Sequence, residues 1–514
     1  MDLAVNALSA ALQILANPVV IMFIAMGVLW GALCGALPGV GSGLALGVVV
    51  PLTFGMDSAT AVSFLVTISV AVAFGNGIPA VLLGVPGTPG AFLTALDGYG
   101  LTRRGEGGLA MGSMWFACVF GQLISIPFFV LLVVPLSTIT YTFLSPELFA
   151  LYCLGLTALV SLTGENILKG LAAAGLGLAV ALIGPDPVSG VTRFDFGVPE
   201  LRGGLSTIPA VLGLVTISEL IRCMRQTYGW GDLASSSNFS SKFPGFAKLR
   251  ESRLLRPVLT GSLIGTLVGS IPGMSGTGAS VMSYQQSKLT SKTPEMFGKG
   301  SVEGIASNEA AGNAAQAGEM VPTLGLGIPG SDSMVLILGA LLLQGFVPGP
   351  LMMQESPELF YATVAGLLGG ALFLLVAGWP LGTLLLKVVR LDRKLVFPLA
   401  FVLTHIGVFS LRRSVFDVLV LLVFGLIGYF MVRYGYSTAA AGVGLLLGAG
   451  FESNLRQGIL LMDSSLVRFV TRPWTAIILT VAFGLLVYGT VGTVKITRRE
   501  RRAREKQGAD TRAD

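Results

Sequence analysis

Seven polar side chains able to do chemistry stand within residues 302–350 of an otherwise apolar chain: Glu303, Asn308, Glu309, Asn313, Gln316, Glu319 and Asp332. Carboxylates and amides placed at membrane depth mark substrate and ion paths. Residues 308–319 read as a helix. At about 100° per residue, Glu309, Asn313 and Gln316 share one face, with Asn308 and Glu319 on its flank. Alanine and glycine fill the remaining arc, a surface that lets neighbouring helices approach closely. The run Gly327-Ile328-Pro329-Gly330-Ser331-Asp332 then predicts a break in the helix.

The elements that position this cluster are expected in a bilayer. Hydrophobic residues make up 53% of the chain and charged ones 12%, with a mean hydropathy of +0.80. Apolar stretches of spanning length recur, so the expected fold is an all-α polytopic membrane protein with about 10–12 transmembrane segments. Spans are expected at 17–37, 58–74, 109–139, 143–162, 167–183, 207–224, 359–386, 395–411, 415–434, 439–451 and 474–494. Shorter apolar pieces lie at 44–54, 257–271 and 279–286. Trp474 is an expected interfacial anchor.

Basic residues are absent before Arg103 and gather at 222–256, 288–299, 387–394 and 495–512. That is the distribution of cytoplasmic loops, so the net charge of +6 does not argue for nucleic acid. The Ser-rich, basic stretch 227–256 reads as a cytoplasmic linker between a first half, 1–226, and a second, 257–494; residues 495–514 read as a basic cytoplasmic tail. Basic flanks on both sides of 257–286 predict a re-entrant hairpin with Pro272-Gly273 at its tip. Cys34, Cys118, Cys153 and Cys223 lack metal-ligand spacing and read as packing residues. The N-terminus lacks a basic n-region, so no cleaved signal peptide is expected.

The two halves repeat one pattern. Gly31, Gly35, Pro38 and Gly39 align with Gly265, Gly269, Pro272 and Gly273. Gly75-Asn76-Gly77-Ile78-Pro79 and Gly84-Val85-Pro86-Gly87-Thr88 align with Gly318-Glu319-Met320-Val321-Pro322 and Gly327-Ile328-Pro329-Gly330-Ser331. Broken segments at matching places in two halves point to the binding site of a secondary transporter. A broken helix offers free N–H groups and about half a positive charge at its start, so four such ends suit a di- or tricarboxylate without any Lys or Arg.

The candidate substrate-binding residues are therefore Pro38, Gly39, Ser42, Asn76, Pro86, Gly87, Thr88, Pro272, Gly273, Ser275, Thr277, Pro329, Gly330 and Ser331. Uptake of an anion into a negative cell costs about 2.3 kcal/mol per charge per 100 mV, which co-imported Na⁺ or H⁺ offsets. Asn76, Asn308, Glu309, Asn313, Glu319 and Asp332 are the candidate coupling-ion groups. Beyond such an ion, no cofactor and no resident metal is expected.

Taken together, the paired Pro-Gly loops, Leu96-Asp97-Gly98-Tyr99, Phe297-Gly298-Lys299-Gly300 with Glu303-Gly304, Asn308-Glu309-Ala310-Ala311-Gly312-Asn313 and Leu326-Gly327-Ile328-Pro329-Gly330 resemble the large membrane subunit, TctA, of the tripartite tricarboxylate transporters. The resemblance covers nearly the whole chain, including residues 428–436, Glu452-Ser453-Asn454-Leu455-Arg456-Gln457 and Arg472-Pro473. It implies a cation-coupled symporter of organic acids in the bacterial inner membrane. It also implies a small four-helix membrane subunit and a periplasmic solute-binding protein as partners, and leaves a homodimer open. Many relatives have Gly-Gly-Ser where this chain has Gly75-Asn76-Gly77, which bears on coordination near Asn76.

The rival readings are a passive organic-anion channel, a membrane enzyme and a scaffold. With the single histidine His405 and no Ser/His/Asp set around it, the chain is not expected to be an enzyme. A scaffold leaves the polar helix at 308–319 without a purpose.

Overall fold

The computed structural model describes residues 2–37, 40–140, 142–162, 167–186, 189–225, 254–388, 393–487 and 490. Pro38, Gly39, most of the expected linker (226–253) and the whole tail (495–514) lie outside the described residues.

The fold is all-α and polytopic. In chain order come α1 (Asp2–Leu15), α2 (Pro18–Ala36), α3 (Ser42–Val49), α4 (Ser58–Leu83), α5 (Phe92–Arg103), α6 (Gly107–Thr140), α7 (Ser145–Leu162) and α8 (Ile167–Ala181). Next, α9 (Thr207–Leu212) runs through a π turn at Gly213–Ile217 into α10 (Ser218–Arg225). Then follow α11 (Leu255–Gly269), α12 (Gly276–Thr290), α13 (Val302–Leu326), α14 (Asp332–Leu343), the short α15 (Met352–Glu355) and α16 (Pro357–Val388). The chain continues with α17 (Arg393–Arg412), α18 (Val415–Arg433), α19 (Thr438–Leu461), α20 (Leu466–Thr471) and α21 (Pro473–Val487). A two-residue antiparallel ladder pairs β1 (Gly184–Pro185) with β2 (Thr192–Arg193). Among the described residues, five helices are long and apolar enough to cross a bilayer: α2, α4, α6, α18 and the Pro357–Leu385 part of α16. Shorter apolar helices, among them α11 and α14, accompany them. At about 1.5 Å per residue, the 15 residues of α11 reach roughly 22 Å, short of a full crossing.

The chain forms two compact units, Met1–Thr142 with Ser206–Tyr429 and Phe143–Leu205 with Phe430–Asp514. In the first, which draws on both sequence halves, α4 lies at the centre and 94% of its apolar window is buried. The repeat is visible in backbone geometry. Glycines 31 and 35 of α2 press against the α4 backbone at Ile68 and Val72, and Gly265 and Gly269 of α11 press against α13 at Ala311 and Ala315. Both α4 and α13 carry an internal proline, Pro79 and Pro322, followed five residues on by a left-handed glycine: Gly84 (φ 68°) and Gly327 (φ 71°). Val85 N–H donates to Pro79 O at 3.2 Å, and Ile328 N–H to Pro322 O at 3.0 Å. Only glycine takes this backbone at little cost, so both helices stop at the same step.

One boundary differs. The span expected at 58–74 continues as α4 to Leu83, straight through Gly75-Asn76-Gly77-Ile78-Pro79, and α13 likewise runs straight through Gly318–Pro322. Small residues let α2 close over Gly75, where a Cβ would meet Ala32 and Gly35, and tertiary packing holds a helix that propensity alone would not. The breaks fall afterwards, at Gly84–Thr88 and Gly327–Ser331, where the Pro-Gly pairs predict them.

In the second unit α19 packs against both α7 and α8, with Gly177 and Gly444 at the α8–α19 crossing. Arg472 and Thr475 both donate to the buried carboxylate of Glu147. Trp474 is half exposed, with its ring 5.8 Å from that of Phe143.

Candidate anion and cation site

Helix α13 carries Asn308, Glu309, Asn313 and Glu319, each no more than 5% exposed. A buried carboxylate is costly unless it is paired or hydrogen-bonded, so its partners define its chemistry. Thr94 Oγ1 on α5 donates to Glu309 Oε1 at 2.5 Å, and Cys118 Sγ on α6 donates to Oε2 at 3.3 Å. Thr94 is held in turn by Asn308 Nδ2 at 2.8 Å, which also donates to Gly90 O at 3.0 Å. Asn313 Nδ2 donates to the Glu309 carbonyl at 3.0 Å. Gly77 of α4 lies against the same carboxylate, where a Cβ would stand 3.2 Å from Oε2.

All of these donors are neutral. No ion pair among the described residues includes Glu309 or Glu319. The ionised form of Glu309 therefore meets no formal positive charge among the described residues. Three buried amide oxygens also have no hydrogen-bond partner: Asn308 Oδ1 and Asn313 Oδ1 on the helix of Glu309, and Asn76 Oδ1 on α4, next in sequence to the Gly77 that faces the carboxylate. Unsatisfied carbonyl-type oxygens beside a carboxylate are the ligand chemistry of a hard cation.

Glu319 takes a different position. Its Oε1 accepts the N–H of Gly276, the first residue of α12, at 3.0 Å, and its Oε2 accepts the Ser331 hydroxyl at 2.5 Å. The start of α12, expected to meet a substrate, is thus filled by the protein's own carboxylate. The two Pro-Gly loops of this half touch directly, since Gly273 N–H donates to Gly330 O at 3.2 Å. Gly330 folds back onto Glu319, where a Cβ would sit 3.2 Å from its Cα. The first half repeats this fold-back: a Cβ at Gly87 would sit 2.8 Å from Oδ1 of Asn76, the counterpart of Glu319.

Helix starts from the two halves also meet. Ser42 opens α3, Ser333 is the second residue of α14, and their hydroxyls are hydrogen-bonded. Neither start has a side-chain cap. Together they present about one positive charge to whatever lies between them. Thr277 of α12 stands against Gly90, beside Asn308. Thr88 and Ser275 precede their helices in extended backbone and make no side-chain cap bond. Pro86 and Pro272 are half-buried, and Pro329 is buried. Asp332 is exposed in the first turn of α14, where an acid complements the helix dipole.

Several partners were not legible beforehand. Thr94 is an isolated threonine, and Cys118 reads as packing. Gln316 accepts from Ser69 of α4. Asp97, fully buried, accepts from Gly298 N–H at 2.7 Å, from Gly300 and Ser301 N–H at 2.9 Å each, and from Tyr284 OH at 2.8 Å. It stands one turn beyond Thr94 on α5, so a single helix face grips both Glu309 and the loop leading into α13. The signal available in the sequence was the glycine pair Gly298 and Gly300, which take positive φ (83° and 114°) in the structure. His405, inside α17, shares its Nδ1 with Phe401 O and stacks on that ring.

Residues 21–442 match the tripartite tricarboxylate transporter TctA family. The chain is similar to an uncharacterized 52.8 kDa protein in the TAR-I ttuC' 3' region of Agrobacterium vitis, with 32% identity over 97% of this chain and 98% of that protein. It is also similar to an uncharacterized protein in the TAR-II ttuC' 3' region of Agrobacterium vitis, with 34% identity over 46% of this chain and 97% of that protein. No solved structure matches.

Proposed function

The chain belongs to the tripartite tricarboxylate transporter TctA family, and from that premise we propose that it is the permease of a cation-coupled importer of di- and tricarboxylates or related organic acids. The observation that carries this reading is the meeting of two uncapped helix starts, one from each half, at Ser42 and Ser333. That arrangement holds an anion without a lysine or arginine and releases it when the halves part. The α12 start joins once Glu319 swings away from Gly276. Glu309, served only by neutral donors and bordered by unsatisfied amide oxygens, holds the coupling Na⁺ or H⁺. Asn76 adds an oxygen from the first half and Asp332 a second acid at the α14 start. A small four-helix membrane subunit and a periplasmic solute-binding protein complete the proposed system. The permease lies in a bacterial inner membrane with its tail cytoplasmic.

The test is uptake of labelled di- and tricarboxylates into proteoliposomes, with partner subunits supplied and ion gradients imposed. Accumulation above equilibrium that collapses with the gradient supports the importer. Equilibration without accumulation makes it a channel, and absence of flux for every organic acid refutes transport. Glu309→Gln is expected to remove the cation dependence while leaving protein abundance unchanged. A correctly inserted variant with normal cation dependence removes Glu309 from the coupling role.

A further inference from the structure

A cavity of about 250 Å³ opens where the α11 start, the α12 end and the first turn of α13 come together, lined by Arg256, Thr260, Ser287, Ser291, Lys292 and Glu303. Arg256 donates to the Thr290 carbonyl at 3.1 Å, which ties the two helix ends together and holds the guanidinium at the rim. No ion pair among the described residues involves Arg256, Lys292 or Glu303. Two cations and one carboxylate thus line one cavity without neutralising each other, with four hydroxyl side chains, that of Thr290 included, in the same lining. From the same α11 start an apolar stripe runs away along the helix: Leu255, Leu259, Leu263 and Leu267 recur every four residues and are 41–67% exposed. Residues at that spacing share one helix face.

A ligand that satisfies both features has a phosphate, an amine and hydrocarbon chains. We infer that this cavity binds the headgroup of an amine-bearing phospholipid. The phosphate is held by Arg256 and Lys292, the ammonium by Glu303, and an acyl chain lies along the leucine stripe. A free phosphate or a soluble phosphoamine meets the charges but leaves the stripe unused. This site is independent of what the protein transports.

The full chain is tested in nanodiscs of phosphatidylcholine containing graded fractions of phosphatidylethanolamine or phosphatidylglycerol, with thermal unfolding and native mass spectrometry of retained lipid as readouts. Phosphatidylethanolamine is expected to be retained and to half-saturate stabilisation at a fraction about ten-fold or more below that of phosphatidylglycerol, the scale of one charge-assisted hydrogen bond. In Glu303→Gln that preference disappears while phosphatidylglycerol behaves as before. In Arg256→Ala/Lys292→Ala both lipids weaken by about ten-fold or more. Soluble glycerophosphoethanolamine at millimolar concentration is expected not to compete. Equal preference for the two lipids in the unmodified chain, or an unchanged preference in Glu303→Gln, overturns the inference. Full competition by the soluble phosphoamine reassigns the cavity to a soluble ligand and overturns the lipid. If the double variant fails to fold, Glu303→Gln and the lipid retained by the unmodified chain still decide.

Discussion

Replacing Asp97 with alanine is expected to loosen the whole approach to α13. The carboxylate accepts four hydrogen bonds, three from backbone N–H groups and one from a phenol, and is fully buried. Gly298 lies at the surface and water can replace its partner, whereas Gly300, Ser301 and Tyr284 are buried. Three buried donors left without an acceptor cost about 1–3 kcal/mol each, and such terms fall short of additivity. A total of roughly 3–6 kcal/mol follows, which for a unit of this size lowers the apparent melting temperature by roughly 4–10 °C. Asp97→Asn keeps one acceptor oxygen for the three backbone N–H groups and turns an amide N–H toward the Tyr284 hydroxyl oxygen, which can accept it, so its loss is expected to be smaller. Tyr284→Phe removes one bond, worth about 1 kcal/mol. The assay is thermal unfolding of the three purified variants in one detergent, with the order Asp97→Ala, Asp97→Asn, Tyr284→Phe from largest loss to smallest. Loss of less than about 1 °C in Asp97→Ala, or the reverse order, refutes the reasoning that this carboxylate pins the loop.

Gly265→Ala drives a methyl group into the Ala311 carbonyl across the α11–α13 crossing, whereas Gly175 has nothing within 4 Å of the same position. Overpacking is expected to cost Gly265→Ala about 1–3 kcal/mol in unfolding measurements and to leave Gly175→Ala unharmed. Glu319→Gln keeps an acceptor at the α12 start but removes a negative charge beside the proposed anion, so KM for the organic acid is expected to fall several-fold; a raised KM argues against Glu319 as an internal competitor. Beyond the apolar part of α19, the hydrogen bond from Arg193 holds the Glu452 carboxyl below the usual carboxylate range, burial opposing it. Because the folded value is depressed, the stabilisation is present above the unfolded value near 4.3 and is lost as pH falls through the lower folded value. Protection of residues 189–204 against hydrogen exchange, corrected for the intrinsic rate, is expected to fall as pH drops below about 4 in the unmodified chain and to fall less in Glu452→Gln, where Asp186 remains as the partner of Arg193.

Local chemistry decided much of this protein before any tertiary contact formed. The apolar stretches fixed which segments enter the bilayer. The pairing of Pro79 with Gly84 and of Pro322 with Gly327 fixed where α4 and α13 stop, because a proline and a left-handed glycine act within one or two turns of their own positions. The repeat and the polar character of residues 308–319 were equally local. Only the tertiary structure decided that Gly75–Pro79 stays helical, that Thr94 and Cys118 flank Glu309, that Ser42 meets Ser333, and that Glu319 fills the start of α12. The bonds from Thr94, Cys118 and Ser42 join residues more than 190 positions apart, a distance over which sequence period and propensity carry no register. The Glu319–Gly276 bond spans 43 positions and required α12 to fold back against α13. Helix α13 announced its polar groups in the sequence; the surrounding helices decided which of them are held, which are left unsatisfied, and which occupies the start of α12.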